Sequence, residues 1–115
     1  MTDRQSWLDH CVDEFEWLAE HDGKTLLDLI EGGSLRASEL TFAAEHAGLL
    51  GESAIPYLVP LLEHPKSYVR EGAIIGLVTT KALDQHPEVV ERIKQLADSD
   101  PSEELREVAR EALNG

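Results

Sequence analysis

The chain is 115 residues long and 42% hydrophobic, enough for one domain around a single modest core and not for a second. Its 10 basic and 23 acidic residues leave a formal charge of −13. That charge argues against unaided binding to nucleic acid or to an anionic membrane surface, since both are held by Lys and Arg. A basic protein partner is the natural electrostatic complement. Solubility is the plainer reading of the same charge, and adaptation to high salt is made less attractive by Lys24, Lys66, Lys81 and Lys94.

Cys11 stands alone, so neither an intramolecular disulfide nor a Cys-based zinc cluster is expected, and a reducing cytoplasm is the easiest home. The opening MTDRQSWLDH lacks the basic-then-apolar order of a signal peptide. No stretch approaches the roughly 20 apolar residues of a membrane span.

The first predicted helix covers residues 3–20 and is closed by His21-Asp22-Gly23. Leu8, Cys11, Val12, Phe15, Leu18 and Ala19 fall on one face of it, with Asp9, Asp13, Glu16 and Glu20 opposite. Trp17 projects off the apolar stripe beside His10, Asp13 and Glu14. Packing against a neighbouring helix is the expectation for it, because Trp is usually mostly buried. Exposed instead, an aromatic ringed by carboxylates would anchor a basic partner.

A short helix follows at 24–31, then Gly32-Gly33-Ser34 as a break, then a helix at 38–49. Leu50-Gly51-Glu52-Ser53 is the next turn, with Ser53 expected as N-cap of a helix carrying Ile55, Leu58, Val59 and Leu62. Pro56 suits its first turn, whereas Pro60 removes a backbone hydrogen bond and predicts a bend. After His64-Pro65 comes a helix at 67–82, apolar on nearly every face, which therefore needs neighbours on several sides. The last two helices are predicted at 87–97, with Val89, Val90, Ile93 and Leu96 inward, and at 102–113. Asp98-Ser99-Asp100-Pro101 turns and caps between them.

These pieces repeat. His64-Pro65-x-x-x-Val69-Arg70-x-x-Ala73-x-x-x-Leu77 returns as Asp100-Pro101-x-x-x-Leu105-Arg106-x-x-Ala109-x-x-x-Leu113, 36 residues later counted from His64 to Asp100. A degenerate earlier copy, Leu40-Thr41-x-x-Ala44, lacks both the Pro and the Arg.

On these residues, AIPYLVPLLEHP and VREGAIIGL at 54–77 and DPSEELREVAREAL at 100–113, the chain resembles the HEAT-repeat family, in its short bacterial form. The resemblance implies an all-α fold: a right-handed α-solenoid of about three HEAT-like helical hairpins, at 24–50, 53–83 and 87–114, with residues 1–22 as an N-terminal capping helix. It also implies that Arg70, Asp100 and Arg106 serve a ladder of hydrogen bonds between units, with His64 departing from the usual Asp at its rung. In such stacks the second helices line the concave side, where partners usually bind. The face opposite Val69, Ala73 and Leu77 carries Glu71, Ile75, Val78 and Ala82; the corresponding positions are Phe42, His46 and Leu49 in the earlier unit and Glu107, Glu111 and Asn114 in the later one. This surface grades from apolar and aromatic to acidic. Burial is the expectation for Ile75 and Val78, since a middle helix touches three neighbours.

The sequence holds no HExxH, no GxSxG, no phosphate-binding Gly loop and no dinucleotide turn. His10, His21, His46, His64 and His86 are scattered singly, and the His10/Glu14 pair supplies too few ligands to close a metal site. No enzyme activity, metal or cofactor is expected. The expected function is binding another protein, most specifically as an acidic immunity or inhibitor protein neutralising a basic toxin domain, because small members of the resembled class include immunity proteins. The alternatives are a scaffold or accessory subunit of a larger assembly, and a lyase-like ligand-binding HEAT protein.

Overall fold

The computed structural model describes residues 13–114, and within them every regular element is helical. Residues 13–21 form the described part of α1, followed by α2 (Gly23–Gly32), α3 (Ala37–Ala47), α4 (Ile55–Leu58), α5 (Ser67–Thr79), α6 (Pro87–Ser99) and α7 (Glu103–Asn114). Three 3₁₀ segments connect them, at Gly48–Ala54, Val59–Glu63 and Leu83–Gln85. Leu8, His10, Cys11 and Val12 lie outside the described residues. Phe15 and Leu18, from the same predicted stripe, are buried.

Local chemistry sets the boundaries. Asp22 closes α1 and also opens α2, where its carboxylate accepts the Thr25 N–H at 3.3 Å and the Thr25 hydroxyl at 2.7 Å. Gly33 ends α2 in the left-handed region (φ 73°), which a side chain would resist. Glu39 accepts the Arg36 N–H at 2.8 Å at the start of α3. Ser102 caps α7 by accepting the Leu105 N–H at 3.2 Å. Pro60 acts as its chemistry demands: α4 gives way at Val59 to a 3₁₀ segment that needs no bond from the missing N–H.

Two expected boundaries are corrected. Ser53 is not an N-cap; its hydroxyl donates backwards to the Leu50 carbonyl at 3.1 Å, and no side chain caps α4. The helix expected to reach residue 82 stops at Thr79, because Lys81 is left-handed (φ 58°) and the Thr80 hydroxyl ties the turn by donating to Leu77 O at 2.6 Å. Ala82, expected on the outer face, is consequently buried.

The elements pack in pairs: α2 on α3, the α4–3₁₀ segment on α5, and α6 on α7. The second helices, α3, α5 and α7, lie side by side with α5 in the middle. Val69, Ala73, Ile74 and Leu77 of α5 are fully buried, and each of the branched side chains contributes about 1.5–3 kcal/mol over exposure. The α3–α5 contact is unusually close because two glycines face it. A Cβ built on Gly72 would lie 2.7 Å from Thr41 O, and one on Gly76 would overlap the Ala44 carbonyl oxygen. Thr41 and Ala44 meeting Gly72 and Gly76 in ascending order also makes the two helices parallel.

Candidate functional site

The inter-unit ladder is built from a buried carboxylate and two arginines. Arg70 donates to both oxygens of Asp100, from Nε to Oδ2 and from Nη2 to Oδ1, each at 3.0 Å, and from Nη1 to the His64 carbonyl at 2.7 Å. Arg106 repeats the last of these bonds one unit on, donating to the Asp100 carbonyl at 2.6 Å. Asp100 Oδ1 also accepts the Ser102 N–H at 2.9 Å. Burial works against the Asp100 charge, but the Arg70 and Ser102 bonds and the Arg70 and Arg106 charges outweigh it and hold the carboxyl below its ordinary range. His64 reproduces half of this role: its Nδ1 accepts the Lys66 N–H at 3.0 Å, as Asp100 does from Ser102. The Arg position before it is Thr41, whose hydroxyl bonds Ala37 O within its own helix. The polar groups of the ladder are bonded to one another and to the backbone around them.

The outer face of α3, α5 and α7 is different in kind. Ile75 and Val78 are 40% and 37% exposed, overturning the expectation of burial. The neighbours supplied by α3 and α7 cover α5 on two flanks and leave this strip open. Phe42 and His46 are half-buried, with His46 Nδ1 2.8 Å from Phe42 O, while Leu49, Glu107, Glu111 and Asn114 are exposed. Glu71 is half-buried between acids: burial and then the Glu104 charge push its carboxyl above the usual range, Arg70 opposing. Burial likewise raises Glu45, with His46 opposing and Glu71 adding to the effect. Glu45 on α3 thus feels Glu71 on α5, and Glu71 feels Glu104 on α7.

An open groove of about 300 Å³ runs between α5 and α7, lined by Ile74, Ile75, Val78, Thr79, Val108, Glu111 and Ala112. It adjoins a second hollow of about 390 Å³, reached past Val78 and Ala112 and lined further by Lys81, Leu83, Asp84, Val90 and Leu113. Leu113, the repeat partner of buried Leu77, is exposed. Sequence comparison missed Glu45, Glu104, Val108 and Ala112. It aligned equivalent positions, whereas residues that touch across neighbouring helices are about a turn out of equivalence. The i, i+4 spacing of Glu104, Val108 and Ala112 was the available signal.

Trp17 departs from expectation too. It is 55% exposed and stacks on His21, one turn along α1, with ring centroids 4.8 Å apart and planes at 16°. Asp13, Glu14, Glu16 and Glu20 around it are exposed. Nothing brings Trp17 to the α5–α7 groove. Among the described residues no cluster of His, Cys, Asp and Glu could hold a metal ion, and no helix is long and apolar enough to cross a membrane.

Comparison with curated proteins and with solved structures returns no match. The family model for HEAT repeats matches residues 25–114, nearly all of the described chain. HEAT repeats generally mediate protein–protein interaction and are typically non-catalytic. With the repeated Arg70/Arg106 bonding, the paired helices and that match, the chain belongs to the HEAT-repeat family.

Proposed function

We propose that the chain is a non-enzymatic protein-binding module, an acidic immunity or inhibitor protein that neutralises a basic toxin domain such as a nuclease. Its three hairpins, 24–50, 53–83 and 87–114, present α3, α5 and α7 to the partner. The observation that carries this reading is the exposed apolar strip of Ile75 and Val78 set among Glu71, Glu107 and Glu111. Apolar anchors within a charged surround are what a specific interface needs. The charge of −13 supports a basic partner by steering encounter, and Trp17 with Phe42 and His46 extends the contact surface. The single cysteine suits a reducing cytoplasm.

The test is affinity capture from the source cell, with wild type and the triple variant Glu71→Lys/Glu107→Lys/Glu111→Lys as baits, followed by association kinetics over a salt series. A basic partner whose association slows with salt and with charge reversal is expected. No salt-sensitive basic partner, or an association rate indifferent to the reversal, would sink the inhibitor reading. A scaffold or accessory-subunit role rests on the same exposed Ile75 and Val78 and predicts capture that salt does not weaken. A lyase-like ligand site has less support, because Thr79 and Glu111 are the polar groups lining the α5–α7 groove and a ligand site needs several that converge.

A further inference from the structure

Resting on the protein-binding reading above, we propose that the groove between α5 and α7 receives one basic amphipathic α-helix of the partner. The floor is apolar and continuous: Ile75 and Val78 from one wall and Val108 and Ala112 from the other lead into the hollow at Leu83 and Leu113. Ile75, Val78 and Leu113 are exposed there, so covering them removes apolar surface from water at little cost in rearrangement.

The occupant's charge follows from the rim. Glu71 and Glu104 lie one turn before Ile75 and Val108 on the two walls, Glu111 lines the groove itself, and Asp84 lies with Lys81 in the adjoining hollow. Glu71 is already repelled by Glu104 in the free protein. A guanidinium or ammonium placed between them relieves that repulsion, whereas a neutral or acidic partner leaves it in place.

The occupant's backbone follows from the walls. Both are helices whose backbone groups pair internally, so an extended peptide laid between them would find no partners for its own N–H and C=O groups over a hydrocarbon floor. A helix brings its backbone already satisfied. From Glu104 to Ala112 the α7 wall is about 12 Å long, a little over two turns at 1.5 Å per residue, which matches anchors at i, i+4 and i+7 with Lys or Arg beside them.

A peptide of Leu, Ala and Lys with Leu at i, i+4 and i+7, and a counterpart with Glu for every Lys, are titrated into the isotopically labelled full chain and followed by NMR. The lysine peptide is expected to shift the amides around Ile75, Val78 and Ala112, and the glutamate peptide to leave them unmoved. Ile75→Asp and Val78→Asp, both at exposed positions and checked for folding by their melting curves, should weaken binding about tenfold or more. The groove assignment is overturned if the lysine peptide does not bind, if its shifts centre on α1 around Trp17, if both peptides bind alike, or if the variants bind as wild type does. It is equally overturned if sedimentation shows a dimer that Val78→Asp dissociates, since the occupant is then a second copy. A basic protein captured equally by wild type and Val78→Asp removes the groove but leaves the inhibitor reading standing. A groove that binds the lysine peptide while cells yield no basic partner does the reverse.

Discussion

Gly76→Ala adds one methyl group at the place where α3 and α5 come closest. That carbon would overlap the Ala44 carbonyl oxygen and stand 3.1 Å from both the Ala44 carbonyl carbon and Leu58 Cδ1. Leu58 is fully buried and the Ala44 carbonyl is main chain inside a helix, so neither can turn aside and the helices must separate. Overpacking typically costs about 1–3 kcal/mol, and a clash between two main chains belongs at the top of that range. Replacing a helical glycine by alanine returns about 1 kcal/mol through helix propensity. The net loss is about 2 kcal/mol, which lowers Tm by about 8 °C for a chain of this size. Gly32→Ala is the control, being helical with no atom within 4 Å of its new carbon, and it should match or exceed wild type. Urea and thermal unfolding followed by far-UV circular dichroism measure both. A Gly76→Ala protein as stable as Gly32→Ala would refute the close parallel contact of α3 and α5, and with it the packing that exposes Ile75 and Val78.

Four further outcomes follow from particular contacts and exposures. Asp100→Ala strands two Arg70 donors and the Ser102 N–H in a mostly buried site, and should cost about 3–5 kcal/mol in urea unfolding; a loss within error of zero would remove the ladder from the stability account. The Asp100 carboxyl is depressed in the folded chain, so its contribution is present above the unfolded value of about 3.9 and is lost as pH falls through the folded pKa; the gap between wild type and Asp100→Asn should therefore narrow under acid conditions. Glu71 has the opposite sign, its carboxyl being raised, so its contribution is present below about 4.3 and is lost as pH rises through the folded pKa. Glu71→Gln should be more stable than wild type at neutral pH and no different in acid, and a destabilised variant at neutral pH would contradict the crowding of Glu71 and Glu104. In a Trp7→Phe background, acrylamide should quench Trp17 nearly as freely as a tryptophan in a short peptide; strong protection would mean that the ring is covered.

The helices and their order were legible because periodicity, proline and capping residues act locally. Pro60, Gly33 and Asp22 each interrupt a helix by chemistry that needs no tertiary neighbour, whereas the cap of α7 falls on Ser102, just past the expected Asp98-Ser99-Asp100-Pro101. The Arg70–Asp100 bond was expected from the resemblance to HEAT repeats, and the geometry adds that each Arg also holds a carbonyl in the turn of its own hairpin. Ser53 misled because a hydroxyl ahead of an apolar run reads as a cap, while the 3₁₀ turn through Gly51 points it backwards to Leu50.

The sequence by itself thus determined the elements, the repeat and the acid-rich character of the surface. Only the tertiary structure decided which side of α5 stays open. An all-round apolar helix reads as buried on every side, but Gly72 and Gly76 draw α3 in tightly on one flank, α7 covers another, and the strip holding Ile75 and Val78 is left between them. Helix-to-helix register was likewise beyond the repeat pattern, since neighbouring copies touch through residues about a turn out of equivalence, bringing Glu71 to Glu104 and setting Val108 and Ala112 in the groove wall. Exposure and register depend on how closely backbones approach, and that distance is fixed by side chains from two different units at once.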